Sequence, residues 1–77
     1  MIRYTIHAIR RLQERGISKD DVEECLYKPD RDVPLKWGAR RCIKIKGRYA
    51  LVVIYKVDNK DIIVVTAFLT SKIDKYL

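Results

Sequence analysis

Residues 40–69, RRCIKIKGRYALVVIYKVDNKDIIVVTAFL, decide the fold because they open on a hydrophobic period of two and continue as two β-branched apolar runs separated by short turns. From Arg40 to Lys46, Ile43 and Ile45 fall on one side, and Cys42, Lys44 and Lys46 on the other. That alternation predicts an antiparallel strand with one face toward solvent. Gly47 supplies a turn. Tyr49–Val57 and Ile62–Leu69 are apolar on both sides and rich in β-branched residues, which predicts inner strands, and Asp58-Asn59-Lys60 is a tight connection between them.

Upstream the period is helical. Thr5 reads as an N-cap and Gly16 as a C′ residue, bracketing a helix from Ile6 to Arg15 with Ala8, Ile9 and Leu12 on its inner side. Ser18 with Asp21 three residues on has the shape of a capping box, and Val22, Cys25 and Leu26 recur as the buried stripe of a second helix that stops at Lys28-Pro29. Ile2–Tyr4 is a short edge strand. Asp30–Pro34 reads as a loop, and Leu35–Trp37 as the start of a strand that turns at Gly38. The tail SKIDKYL is too short to assign. The expected architecture is one α+β domain over residues 1–77, a helical hairpin packed on one face of a three- to four-stranded antiparallel sheet.

Seventy-seven residues suffice for one core, since a chain of this size buries only about 60% of the surface it exposes when unfolded. Seventeen basic residues oppose ten acidic ones, a net charge of +7. The excess is uneven, with +1 on residues 1–38 and +6 on residues 39–77. A basic half points to nucleic acid, although such a charge also serves solubility alone. Two cysteines, Cys25 and Cys42, and one histidine exclude a zinc tetrad and a dense disulfide framework; both cysteines read as small apolar packing groups, and no metal and no cofactor is expected. The N-terminus lacks the apolar run of a signal peptide and no stretch is long enough to span a bilayer, so the expected location is cytoplasmic, with no membrane partner.

Two constellations carry chemistry. His7, Arg11 and Arg15 are spaced i, i+4, i+8 along one edge of the first helix. Arg offers forked, permanently charged donors for phosphate, and His moves a proton near neutral pH. The alternative is a solvated helix face with ordinary ion pairing. The second is Arg40 to Arg48, five basic residues without an acid, in which Arg40, Lys44 and Lys46 share a face with Arg48 close by. Tyr49 and Trp37 flank it, and aromatic rings beside a basic stripe suit single-stranded RNA. An edge strand that uses Lys to block aggregation has the same appearance. Thr66, Lys72 and Tyr76 are weaker candidates for reaching a site on the sheet.

HAIRRLQERGIS followed by KDDVEECLYKP resembles the opening of a family of small prokaryotic domains of unassigned function, with the pattern His-Ala-x-x-Arg-φ-x-x-Arg-Gly-Ile-Ser. His7, Ala8, Arg11, Leu12, Arg15, Gly16, Ile17, Ser18, Val22 and Pro29 match, and Lys28 stands where the family more often has Asn. That family is similar, distantly, to the RelE/ParE-like toxins. The resemblance implies a metal-independent endoribonuclease or RNA-binding domain of a toxin–antitoxin system, with an antitoxin as a further partner. His7, Arg11 and Arg15 would be catalytic and Arg40, Lys44, Lys46, Arg48 and Tyr49 would bind RNA, with Tyr76 contributing from the tail. The alternative is a non-catalytic interaction module of the same fold, bound to an antitoxin or a topoisomerase subunit.

Overall fold

The structure, a computed structural model, describes residues 1–77. In chain order the elements are β1 (Ile2–Tyr4), α1 (Ile6–Arg15), α2 (Lys19–Tyr27), β2 (Arg31–Pro34), a 3-10 turn (Lys36–Gly38), β3 (Ala39–Lys46), β4 (Tyr49–Asp58), β5 (Asp61–Thr70) and α3 (Ile73–Tyr76). The fold is α+β.

The helix boundaries follow from local chemistry. The Thr5 hydroxyl accepts from Ala8 N at 2.9 Å, and the Ser18 hydroxyl accepts from Asp21 N at 3.1 Å. Each satisfies one of the amide donors left free at a helix start. Gly16 takes the left-handed conformation, φ 63°, that ends α1.

The sheet has five strands in the order β1-β5-β4-β3-β2. It is mixed: β1 runs parallel to β5, with Ile2 opposite Ile62 and Tyr4 opposite Val64, and the other pairings are antiparallel. This corrects the expectation of three or four antiparallel strands. The loop expected at Asp30–Pro34 is strand β2, paired from Arg31↔Ile43 to Pro34↔Arg40, so β3 is an inner strand along that stretch and not an edge. Pro34 fits there because a strand at the sheet edge does not need every amide donor. Leu35–Trp37 does not begin a strand; it leads into the 3-10 turn, with Trp37 and Gly38 both at positive φ.

The helices lie on one face of the sheet, α1 on β5 and α2 on β4 and β3, and each packs more on strands than on the other helix. The expected hairpin of helices is therefore two helices laid side by side on a sheet. Ala8, Leu12, Ile17, Val22 and Cys25 pack with Cys42, Leu51, Val53, Tyr55, Val64 and Ala67. Val64 and Ala67 are three apart yet face the same side because the register shifts after Ile54↔Thr66, leaving Val65 as an extra residue in β5. Tyr4 ties β1 to α2 through its hydroxyl, which donates to Glu23 Oε2 at 3.1 Å. Burial and that carboxylate raise its pKa. No helix is long and apolar enough to cross a membrane.

The opposite face has its own smaller apolar layer. Ile43, Ala50 and Val52 are buried there, and Phe68, the cross-strand partner of Val52, meets the ring of Tyr76 edge-on at 5.8 Å. The tail thus folds back as α3 over this layer.

Candidate nucleic-acid interface

The α1 row is dispersed. His7 is exposed, Arg11 Nη1 pairs with Glu14 Oε2 at 2.8 Å, and Arg15 Nη1 donates to the Ala67 carbonyl at 2.7 Å. Beyond Val64, β1 no longer pairs with β5, and the Thr5 hydroxyl and the Arg15 guanidinium donate to the Val65 and Ala67 carbonyls of that strand. Arg15 thus has one donor committed to backbone. His7 and Arg11 remain on the surface, one helical turn apart.

The β3 stripe is largely occupied by the protein itself. Cys42 meets Cys25 of α2, so Arg40, Lys44 and Lys46, which share its side of the strand, face the helices. Lys46 Nζ lies 2.9 Å from Asp21 and 3.0 Å from Glu24, both on α2, and the Lys46 hydrogen bond holds the Asp21 carboxyl below its ordinary range. Lys44 Nζ donates to the Lys28 carbonyl at the end of α2 at 2.9 Å. Arg40 Nε donates to Asp32 Oδ1 at 3.1 Å, and the hydroxyl of Tyr55 donates to the other oxygen of the same carboxylate. Burial, then the bond to Asp32, pushes the Tyr55 phenol up to about 12. Arg48 and Tyr49 stand exposed at the following turn.

The face away from α1 and α2 carries a different set. Arg41 sits in a cross-strand row with Val33, Ile54 and Thr66. Its guanidinium carbon lies 5.1 Å from the Tyr76 ring centroid, and Lys75 Nζ lies 5.7 Å from the same ring. Arg31, in the adjacent row through Ile43, Val52 and Phe68, donates to the Leu77 carbonyl. Lys56 stands exposed on β4 beside this surface. Here cations, a phenol, a phenyl ring and the Thr66 hydroxyl share one face, and no carboxylate partner is recorded for Arg41 or Lys56. The surface has no enclosed pocket, and no cluster of three or more His, Cys, Asp or Glu side chains is placed to hold a metal ion.

The sequence profile described as "Domain of unknown function (DUF4258)" matches residues 4–69. The chain is a DUF4258 domain. No curated protein and no solved structure matches it.

Within this DUF4258 domain, the matched region ends before the tail that brings Tyr76 to the sheet. His7 and the Arg41–Tyr76 pair stand on different surfaces, since α1 lies on the helix-bearing face and Arg41 on the other. Arg41 is the residue that sequence reasoning passed over. Alternation groups it with Ile43 and Ile45, and the apolar company disguised it; its adjacency to Arg40 in a two-residue period was the available signal, because neighbours on a strand point to opposite faces.

Proposed function

We propose that this domain is a toxin-like RNA-binding module of RelE/ParE-like type, and that single-stranded RNA lies across the sheet face away from α1 and α2. The observation that carries this reading is the Arg41 guanidinium over the Tyr76 ring, beside Phe68 and Thr66. Such a face meets the two needs of a single strand: cations for its phosphates and aromatic surfaces for its bases.

Metal-independent cleavage is a separate part of this proposal and belongs to the α1 surface, where another stretch of the RNA would meet His7 as the proton carrier and Arg11 and Arg15 as phosphate contacts. Cleavage by attack of the 2′-hydroxyl needs a base, an acid and positive charge around one phosphate. His7 with Arg11 supplies a proton carrier and a cation that already shares its charge with Glu14. Binding therefore draws on more of the surface than cleavage does.

The decisive experiment incubates end-labelled RNA in EDTA with the wild type, His7→Ala, Arg15→Ala and Arg41→Ala, folding being checked by circular dichroism. Cleavage lost in folded His7→Ala establishes the ribonuclease. Binding lost in Arg41→Ala without any cleavage establishes the RNA-binding module. Neither cleavage nor salt-sensitive binding would overturn the proposal.

One observation favours a protein partner instead. The outer edge of β5 beyond Val64 has no strand beside it, and Leu69 on that segment is 49% exposed. Thr5 and Arg15 already occupy the Val65 and Ala67 carbonyls, so an added strand would pair beyond Ala67 or displace Arg15. An antitoxin segment would use this edge, and binding insensitive to salt would distinguish that mode.

A further inference from the structure

Cys25 and Cys42 are the only cysteines of the chain. They lie on different elements, α2 and β3, and both are fully buried. Their sulfurs are 3.3 Å apart. A disulfide bond is about 2.0 Å long, so the two thiols need to close by little more than 1 Å for a bond to form.

We infer that Cys25 and Cys42 form a disulfide that staples α2 to the sheet, made when a two-electron oxidant such as a hydroperoxide reaches the pair. In the first step one thiolate takes an oxygen atom from the hydroperoxide, giving a sulfenic acid and the corresponding alcohol or water. In the second the neighbouring thiol displaces hydroxide from that sulfur, the S–S bond forms, and water leaves. Two thiols and one hydrogen peroxide yield one disulfide and two waters.

Three features support the assignment. The partner sulfur is already in place, so a sulfenic acid at either residue meets a thiol at very high local concentration. Burial slows the first step in the closed protein: the hydrogen bond with Cys25, in which the Cys42 thiol holds its proton, and the loss of water both raise the Cys42 pKa and keep the reactive thiolate scarce. Oxidation therefore proceeds through transient opening of α2, and the bond, once made, is shielded by the same packing. Few buried side chains hold α2 down, chiefly Val22 and Cys25, so a covalent tie there has much to add.

The test treats wild-type protein with hydrogen peroxide, once folded and once during refolding from urea, and follows free thiols by titration, intact mass and thermal melting. The expected product is a monomer lighter by two hydrogens, with no free thiol, and a melting temperature raised by roughly 10 °C. Reduction should restore both thiols and the lower melting temperature. Cys25→Ala and Cys42→Ala should show no such gain on oxidation; the wild-type measurement stands even where these variants fold poorly. Two thiols surviving both treatments, disulfide-linked dimers in place of the internal bond, or an oxidised monomer that melts lower than the reduced one would overturn the inference.

Discussion

The guanidinium of Arg41 lies over the ring of Tyr76, 5.1 Å from its centroid, so a strand residue and a tail residue far apart in sequence share one surface. Arg40, its neighbour, points to the opposite face and is tied to Asp32. On the proposed function, Arg41→Ala weakens single-stranded RNA binding about tenfold and lowers the slope of log affinity against log salt by roughly 0.7, one phosphate contact. Lys46→Ala, which removes a charge already shared with Asp21 and Glu24, leaves that slope nearly unchanged. Fluorescence anisotropy with a labelled oligonucleotide at several salt concentrations reads both outcomes, and equal losses in the two variants would relocate the RNA to the β3 stripe.

Trp37 is the single tryptophan, is 90% exposed and sits at φ 65° in the turn before β3. A bulky side chain in that conformation is costly to the fold. Trp37→Gly should therefore preserve or slightly raise stability, by up to about 1 kcal/mol, measured by urea unfolding followed by circular dichroism. The same substitution should weaken single-stranded RNA binding about tenfold if a base stacks on the indole. Quenching of wild-type tryptophan fluorescence by oligouridylate, and not by duplex RNA, is the matching signal.

Tyr55 gives the domain an alkaline limit. Its folded phenol is pushed up to about 12 from an ordinary value of 10.0. Between those values the unfolded chain releases the proton and the folded one keeps it, so the stabilisation is complete below pH 10 and is lost as pH rises toward 12. The raised pKa of Tyr4 adds to the decline in the same direction. Tyr55→Phe should cost about 1–2 kcal/mol at pH 8, by removing a hydrogen bond to the Asp32 carboxylate, and should make the decline from pH 9 to 11 shallower. Urea midpoints across that range decide it; a decline as steep as that of the wild type would assign the alkaline limit elsewhere.

Gly16 closes α1 at φ 63°, and a Cβ there would meet nothing within 4 Å. The cost of Gly16→Ala is thus conformational alone, about 1 kcal/mol. Urea unfolding should show a lower midpoint with an unchanged slope, the mark of altered stability without altered compactness.

Much of this fold was legible in the residues. Thr5, Gly16 and Ser18 announce their helix ends because capping is local chemistry; the alternation from Arg40 to Lys46 announces β3, and the β-branched runs that are apolar on both sides announce β4 and β5. Strand β2 was hidden by its polar residues, and its pairing is confirmed only by the partner it finds in β3. The candidate site was less legible. Alternation says that Cys42 and Lys46 share a side, but not that the acids of α2 cover it, since Asp21 and Glu24 reach Lys46 only through tertiary packing. The tail gave no periodic signal, and its place over Phe68 depends on an aromatic contact between residues whose elements had to be folded first.

The parallel pairing of β1 with β5 has a consequence for how the molecule is made. Ile2 finds its place only against Ile62, so β1 waits until β5 has been made. During synthesis α1 has no strand to lie on until β5 emerges, and contacts of such long range slow the final step of folding. The β3–β4–β5 meander is connected by short turns and would assemble first, with β1 and α1 closing over it last. In the interval the outer edge of β5 is bare along its full length, and a nascent chain in that state is open to whatever binds it soonest.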